Sequence, residues 1–285
     1  MSKVILVTGT SSGLGASVAV QAAKAGHRVY ATMRDLAKRS RLDEAASAAR
    51  VSLEVLALDV RDTATIEAAV AEVVAREGRI DTLINNAGVG YVRTTEQAPE
   101  NEIAWVVDVN FMGVMRCTKA VIGHMRRQRS GHVITISSVG GLVGQPFNEI
   151  YCGTKFAVEG YMEAMSSYIT PSFGVHFTVI EPGGIVSEFA PSVFKQVEAS
   201  GGMLDDEYLP ILKTYIGGSQ RRQGESGTYQ TADHVAAVVM ECVESSDPPI
   251  RTRTSEWSEE LTALKTGLDP DGKKLQALVI EKFLH

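Results

Sequence analysis

The chain has 285 residues, of which 44% are hydrophobic and 22% charged, and its formal net charge is −6. This length and composition suit a globular protein with one large α/β domain or two small domains. The negative charge argues against nucleic acid as a partner, because binding to phosphates needs a basic face.

Cysteine and histidine are dispersed along the chain. Cys117, Cys152, Cys242 and the six histidines show no spacing typical of metal ligands, so we expect no metal site. Three cysteines cannot all pair with one another, which favours the reducing cytoplasm as the compartment. The first apolar run is too short for a signal peptide. No stretch of about 18 apolar residues occurs, so we expect no membrane span.

Short apolar runs alternate with longer amphipathic segments from the N-terminus onwards. The apolar runs are typical of strands buried on both faces and lie at 4–7, 28–32, 53–58, 82–84, 132–136 and 175–180. Helical spacing of apolar residues occurs at 16–25, 65–76, 103–127 and 151–169. Asp62 or Thr63 is expected to cap the second of these helices, and Gly78 to end it. The alternation predicts one doubly wound, parallel α/β domain of Rossmann type over residues 1–285.

The last third of the chain departs from this alternation. Residues 188–230 show weak periodicity and several glycines, which is typical of a functional lid or a partly disordered insert, and we predict a substrate-binding lid. Thr231 is expected to cap a helix that runs through Val243. Residues 250–254 are typical of a last edge strand, and residues 255–285 of a charged, loosely helical C-terminal extension.

A glycine-rich turn lies between the first predicted strand and the first predicted helix, where such turns bind dinucleotides. Gly9 permits the tight turn, Gly13 lets backbone N–H groups approach a pyrophosphate, and Gly15 allows close packing of helix on strand. The positive end of the helix favours the phosphate charge. The predicted cofactor loop also includes Ser11, Ser12 and Leu14. The alternative is a glycine turn selected only for packing.

The spacing Gly-x-x-x-Gly-x-Gly resembles that of the short-chain dehydrogenase/reductase family, and the resemblance extends over residues 4 to about 187. It implies that Asp59 and Val60 hold the adenine ring. It also implies that Pro182 and Gly183 form the turn beside the nicotinamide, with Ile185 offering its backbone to the carboxamide. Further cofactor-binding residues implied by family motifs are Asn86, Ala87, Gly88 and Ser187.

Tyr151 and Lys155 are four residues apart on a predicted helix and therefore share one face. A free phenol has a pKa near 10, and a nearby ammonium favours the phenolate and lowers that pKa. We therefore predict that Tyr151 is the general acid/base, taking the alcohol proton as hydride leaves or returning it during reduction.

Two more polar residues complete the predicted catalytic set. Ser138 ends the fifth strand, at the sheet edge where open α/β sheets bind ligands, and its hydroxyl can stabilise charge on the substrate oxygen. The family resemblance implies that Asn110 holds a water that links Lys155 to solvent. Each residue alone is explained equally well by chance, but their order after the glycine loop favours catalysis. Cys152 is interpreted as a small packing residue, because no histidine base is placed beside it.

The end of the second strand bears on the choice of nicotinamide. Met33 stands where NAD-specific members carry an aspartate for the ribose hydroxyls, and Arg34 follows it. An arginine without a competing carboxylate suits a 2′-phosphate, so NADP(H) is favoured over NAD(H). Asp35 lies one or two positions further along and keeps NAD(H) as the alternative.

The family resemblance implies an NAD(P)(H)-dependent oxidoreductase that interconverts a secondary alcohol with a ketone or aldehyde. The run 30–35 is similar to the hydroxysteroid and retinol dehydrogenase branch, which suggests a bulky apolar substrate. The residues expected at the substrate wall are Leu142, Val143, Phe147, Phe189, Val193, Phe194, Met203, Leu204, Tyr208 and Leu209. The alternative is that they only pack the lid against the body of the protein.

Other functions and partners stay open at this point. A nucleotide-sensing protein without chemistry is one alternative, and an epimerase or dehydratase another. A third is a 3-ketoacyl-carrier reductase, with Arg126, Arg127 and Arg129 docking an acidic carrier rather than forming a solvated helix end. The resemblance also implies a homodimer or homotetramer.

Overall fold

Seven strands form one parallel sheet in the order β3-β2-β1-β4-β5-β6-β9. The computed structural model describes residues 2–224 and 228–284. The strands of the sheet are β1 (Val4–Thr8), β2 (Arg28–Met33), β3 (Glu54–Ala57), β4 (Thr82–Asn85), β5 (Gly131–Ile136), β6 (Val175–Glu181) and β9 (Arg251–Arg253). The order reverses between β1 and β4, and ligands bind at such a switch point in open α/β sheets. The doubly wound fold predicted from the sequence is confirmed.

Helices cover both faces of the sheet and divide the core into two layers. Val4 and Leu6 pack towards one layer, Ile5 and Val7 towards the other, as the two-residue period of a strand requires. The helices are α1 (Gly13–Lys24), α2 (Ser40–Ala49), α3 (Thr63–Glu77), α4 (Glu100–Val107), α5 (Gly113–Gln128), α6 (Glu149–Phe173), α7 (Phe189–Ala199), α8 (Leu209–Gly224), α9 (Ala232–Glu244), α10 (Glu256–Thr266) and α11 (Lys273–Leu284). Among residues 2–224 and 228–284, no helix combines the length and apolar content needed to cross a bilayer.

The predicted helix ends have the expected side-chain contacts. The Asp62 carboxylate accepts a hydrogen bond from the Ala64 N–H at 2.9 Å, and Gly78 ends α3 with a left-handed φ of 71°. Thr231 Oγ1 accepts from the His234 N–H at 3.2 Å and caps α9. These caps satisfy backbone groups that a helix end leaves without partners.

Three expectations about the elements need correction, and one helix was missed. The single helix expected over 103–127 is divided into α4 and α5 by a π-helical turn at Asp108–Met112. Helix α2 was not predicted, because only Leu42 and Ala46 of it are buried. The segment 188–230 is not structureless: it contains α7, α8 and the strand β8 (Tyr229–Thr231), which pairs with β7 (Gly184–Val186). The C-terminal extension forms two regular helices, α10 and α11. Residues 225–227 of the predicted lid lie outside the described residues.

Candidate active site

A cleft of about 930 Å³ opens at the carboxyl edge of the sheet, where the glycine loop and the ends of β4, β5 and β6 meet. The predicted site residues that line it are Gly9, Ser11, Ser12, Gly13, Leu14, Gly15, Arg34, Asp59, Val60, Asn86, Ala87, Gly88, Ser138, Tyr151, Lys155, Pro182, Gly183, Ile185 and Ser187. Of the predicted catalytic and cofactor-binding residues, only Asn110 does not line the cleft.

The glycine loop is held tightly against the end of β4. Asn86 Nδ2 donates to the carbonyl oxygens of Thr8 and Gly9, both at 2.9 Å. A Cβ atom on Gly9 would lie 2.8 Å from Ala87 Cα, and one on Gly15 would collide with the Gly9 carbonyl and the Asn86 amide. Gly9 and Gly13 also have positive φ angles of 71° and 58°. Side chains are therefore excluded at Gly9 and Gly15 and disfavoured at Gly13, so the backbone can make this tight turn.

Replacing Gly15 with alanine is expected to displace the loop and weaken nucleotide binding by about 5- to 150-fold, the equivalent of the roughly 1–3 kcal/mol that overpacking of this kind costs. The new methyl group has no space between the Gly9 carbonyl and Asn86. Titration of NADPH fluorescence checks the effect, with Gly144→Ala as the control, since nothing lies within 4 Å of a Cβ there. Equal affinities for the two variants would show that the loop tolerates a side chain.

Ser138 and Tyr151 flank the 3₁₀ turn Val139–Gly141 that follows β5. Ser138 Oγ accepts a hydrogen bond from the Gly140 N–H at 3.0 Å, so its own proton stays available to another acceptor. A Cβ on Gly140 would lie 3.4 Å from both Ser138 Oγ and Tyr151 Cε1. The serine hydroxyl and the tyrosine ring therefore both border the space that a side chain at Gly140 would fill.

Lys155 lies one turn further along α6 with its amine inside the protein. Its Nζ donates to the Ile136 carbonyl at 2.9 Å and lies 5.6 Å from the centre of the Tyr151 ring. Burial lowers the pKa of Lys155 to about 8, and Glu159 opposes this change only while its carboxyl group is ionised. The amine is therefore mostly protonated at neutral pH.

The expected direction of the Tyr151 pKa shift is wrong for this structure. Burial raises the pKa of Tyr151 to about 12, although a hydrogen bond with Ser138 acts to lower it. The sequence pattern places an ammonium nearby but does not show how far burial in the site raises the pKa of the phenol. At neutral pH the phenol therefore holds its proton.

Asn110 lies in the π-helical turn, beneath the cleft. Its side chain forms two hydrogen bonds with the Val89 backbone, accepting from the N–H and donating to the carbonyl oxygen, each at 2.8 Å. A Cβ on Gly88 would lie 3.4 Å from Asn110 Oδ1 and 3.8 Å from Lys155 Nζ. Asn110 thus fixes the segment after β4 that runs beside the lysine, and π-helical turns often occur at functional sites.

The end of the cleft beyond β2 is basic. Arg34 is exposed there, and the Asp35 carboxylate accepts from the Ala37 N–H at 3.0 Å. That contact caps the 3₁₀ turn Leu36–Lys38. Lys38 also lines the cleft and was not identified from the sequence, because only the turn brings it back towards the glycine loop.

Trp257 from the C-terminal extension was also missed, and no motif marks it. It lines the cleft at the other end, and a Cβ on Gly183 would lie 3.0 Å from its ring atoms. The extension therefore packs against the Pro182–Gly183 turn instead of lying apart from the site.

The wall opposite the sheet edge is apolar and comes mostly from the predicted lid. The expected wall residues that line the cleft are Phe189, Val193, Phe194, Met203 and Leu204, and α8 adds Leu212, Tyr215 and Ile216. The Phe189 ring lies 6.0 Å from the Tyr151 ring. The other expected wall residues, which are Leu142, Val143, Phe147, Tyr208 and Leu209, do not line it. Leu142 and Phe147 are buried core residues. The centre of the Phe147 ring lies 6.0 Å from that of the Tyr215 ring.

Metal binding is not supported by the described residues: none of their His, Cys, Asp and Glu side chains form a group of three that could hold an ion. The three cysteines are free and buried. A Cβ on Gly140 would lie 3.3 Å from the Cys152 sulfur. Cys152 therefore packs against the 3₁₀ turn Val139–Gly141, called the serine turn below.

Comparison with known proteins agrees with the site. The model of the short chain dehydrogenase family matches residues 3–198. The 17-beta-hydroxysteroid dehydrogenase type 1 of Homo sapiens is 38% identical over 275 residues, covering 94% of this chain and 82% of that protein. Retinol dehydrogenase 8 of Bos taurus is 36% identical over 276 residues, covering 95% and 86%. The structure of a short-chain dehydrogenase from Streptomyces avermitilis matches with a TM-score of 0.76 at 29% identity, covering 99% and 96%. The chain therefore belongs to the short-chain dehydrogenase/reductase family, whose members are oxidoreductases that use NAD(H) or NADP(H).

Proposed function

We propose that the protein interconverts a secondary alcohol with a ketone or aldehyde, with Tyr151 as the general acid/base. The observation that carries this proposal is the arrangement of Ser138, Tyr151 and Lys155 at one cleft that also contains the glycine loop. The loop suits a dinucleotide, because its glycines allow a tight turn packed against Asn86 and Ala87 at the N-terminus of α1. The set is complete, with Tyr151 as the acid, Ser138 as the hydrogen-bond donor and Lys155 as the ammonium. It therefore favours catalysis over nucleotide sensing.

Each residue of this set has a separate part in the chemistry. The nicotinamide, when bound, supplies or accepts the hydride. Ser138 donates its hydroxyl proton to the substrate oxygen, because the Gly140 N–H already occupies an acceptor site on its Oγ. Tyr151 holds a proton at neutral pH and can deliver it from Oη to the same oxygen. This protonated state suits the direction of ketone reduction.

Lys155 and Asn110 support the tyrosine. The ammonium of Lys155 stabilises the phenolate that remains after Tyr151 has given up its proton. Asn110 holds the backbone at Val89, next to the lysine, and is proposed to position the water that returns a proton from solvent.

The substrate is proposed to be bulky and apolar. Phe189, Val193 and Met203 offer the cleft an apolar surface, and a wall of this kind excludes water from the reacting carbon. The names of two relatives, a hydroxysteroid dehydrogenase and a retinol dehydrogenase, agree with a large hydrophobic alcohol. Residues 188–230 are proposed to act as the lid over this substrate.

Oxidation of NADPH across a panel of steroid ketones, retinal and small ketones tests the proposed function. We expect turnover of at least one bulky apolar carbonyl compound by the wild type, and none above background by Tyr151→Phe. Cofactor binding without turnover of any member of the panel would instead favour the sensing alternative.

NADP(H) is proposed as the preferred cofactor. Arg34 and Lys38 give the adenosine end two cations, while the Asp35 carboxylate is engaged with the Ala37 N–H. Replacing both cations with alanine is expected to lower kcat/KM with NADPH by about 10- to 100-fold and to leave that with NADH within about threefold, since charge-assisted hydrogen bonds contribute about 1.5–3 kcal/mol. Parallel steady-state kinetics with both cofactors measure this. A wild type that prefers NADH would refute the assignment.

The carrier-reductase alternative receives less support. Arg126 lies over the Phe173 ring at 5.8 Å, and Arg129 donates to the Ser172 carbonyl at 3.0 Å. Two of the three arginines are therefore engaged by residues of this chain. They lie at the C-terminal end of α5, where positive charge interacts favourably with the helix dipole. A cytoplasmic homodimer or homotetramer remains our proposal for the assembled state, and free buried thiols suit that compartment.

A further inference from the structure

Glu159 lies one turn beyond Lys155 on α6, so that Tyr151, Lys155 and Glu159 follow one another at intervals of four residues on the same face. Its side chain is buried, with the residue only 7% exposed. An acidic residue at such a depth is rare unless it is paired or neutral.

Glu159 lies at the junction of three elements of the candidate active site. A Cβ on Gly141, in the turn after Ser138, would lie 2.8 Å from Glu159 Oε1 and 2.6 Å from Ser137 Oγ. The third neighbour is Glu181, which ends β6 directly before the Pro182–Gly183 turn and is fully buried. Glu159 thus connects α6 to the turn after Ser138 and to the end of β6.

The arginines near Glu159 form ion pairs with carboxylates other than that of Glu159. Arg253 Nη1 contacts Glu181 Oε2 at 3.1 Å, and its Nε contacts Glu259 at 3.0 Å. Arg251 contacts Glu163 at 2.9 Å. Within the described chain, no lysine or arginine nitrogen lies within 4.0 Å of the Glu159 carboxyl group.

Three buried oxygens of the cluster, Ser137 Oγ, Glu159 Oε1 and Glu181 Oε1, lack a hydrogen-bond partner with good geometry among residues 2–224 and 228–284. Two carboxylates cannot bond to each other without a proton between them. Burial raises the pKa of Glu159 well above its ordinary range, and the Glu181 carboxylate raises it further. Burial also raises the pKa of Glu181, but Arg253 opposes this, so the shared proton belongs to Glu159.

We propose that Glu159 is a positioning residue, a neutral acid whose proton is shared with Glu181 and whose other oxygen accepts from Ser137. This contact would hold the turn after Ser138 against α6 and the end of β6. Because Glu159 is neutral, the Lys155 charge remains available to Tyr151 instead of being compensated by a carboxylate. The catalytic part of this inference rests on the proposed function, whereas the proton assignment does not.

The pH dependence of folding tests the proton assignment in the substrate-free protein. The native state keeps a proton on Glu159 that the unfolded chain loses near its ordinary pKa, so stability falls as pH rises above about 4.3. The ratio of the unfolding constant of the wild type to that of Glu159→Gln should rise about tenfold per pH unit. The rise should start above the ordinary glutamate pKa and end at the pH at which Glu159 ionises in the folded protein. Glu67→Gln on α3 is the exposed control and should leave the wild-type dependence unchanged. Equal pH dependence of the wild type and Glu159→Gln would overturn the assignment.

Infrared difference spectra give a second measurement that requires no activity. The spectrum of the wild type minus that of Glu159→Gln should contain the C=O band of a protonated carboxylic acid at pH 7. Carboxylate bands in its place would overturn the proposal. Failure of Glu159→Gln to fold would overturn it too, because the amide reproduces both the neutral charge and the donor of the acid.

Kinetics test the positioning role. Glu159→Gln should keep kcat within about twofold of the wild type, while Glu159→Leu, which fills the space without hydrogen bonds, should lower kcat about tenfold or more with little change in KM. Equal losses in both variants would contradict a neutral acid and indicate a role for the negative charge. If the wild type reduces no carbonyl compound, the proposed function fails, but the stability and infrared results still decide the proton assignment.

Discussion

Replacing Tyr151 with phenylalanine is expected to lower kcat/KM for ketone reduction by about 10²- to 10⁴-fold, the usual contribution of a positioned general acid. The ring and its contact with Phe189 remain, so the variant loses the proton donor while the shape of the cleft is retained. Steady-state kinetics with saturating NADPH measure the loss, and the dissociation constant for NADPH should change little.

Tyr168→Phe is the matched control for this substitution. Tyr168 lies on the same helix, but its side chain is largely exposed and away from the cleft. Its variant should keep wild-type activity. Residual activity of Tyr151→Phe within a few-fold of the wild type would mean that another group supplies the proton.

Replacing Lys155 with methionine is expected to slow alcohol oxidation at neutral pH by about 10- to 10³-fold, because a nearby opposite charge shifts a pKa by about one to three units. Oxidation needs the phenolate of Tyr151, and the variant lacks the ammonium that favours it. The rise of the oxidation rate with pH should therefore move to higher pH. Since burial lowers the pKa of Lys155 to about 8, the wild type itself has this assistance below pH 8 and loses it above.

Profiles of kcat against pH, measured in both directions, check this expectation. Ketone reduction uses the protonated phenol and should lose less than oxidation at pH 7. Lys119→Met on α5 removes an exposed cation and should leave both profiles unchanged. An oxidation profile of Lys155→Met that coincides with the wild type would contradict the proposed role of the ammonium.

The sheet and the glycine loop were predictable because their signals are local. The strand Val4–Thr8, the positive φ of Gly9 and the start of α1 at Gly13 each depend on a few neighbouring residues. The same holds for Asp62 and Thr231, whose caps involve residues two or three positions away. Spacing within one helix placed Tyr151 and Lys155 on a common face, and the rule that ligands bind at the carboxyl edge of the sheet placed Ser138 there; all three line one cleft.

Features that depend on distant elements could not be predicted. Helix α7 was not predicted as a separate element: its residues Phe189 and Phe194 line the cleft and remain partly exposed, instead of packing in the core. The pKa of Tyr151 depends on burial by the whole site, which the interval to Lys155 does not reveal. Glu159 has the spacing of an ordinary exposed helix residue, and only β6 and the serine turn make it a buried acid.

Reduction of a bulky apolar ketone with NADPH that carries deuterium at C4 of the nicotinamide tests the proposed chemistry most directly. Mass spectrometry of the alcohol should show one deuterium on the carbinol carbon when one face of the ring is labelled, and none when the other face is. Oxidation of NADPH without label in any alcohol, or no alcohol from any ketone tried, would contradict direct hydride transfer at the cleft that contains Ser138, Tyr151 and Lys155.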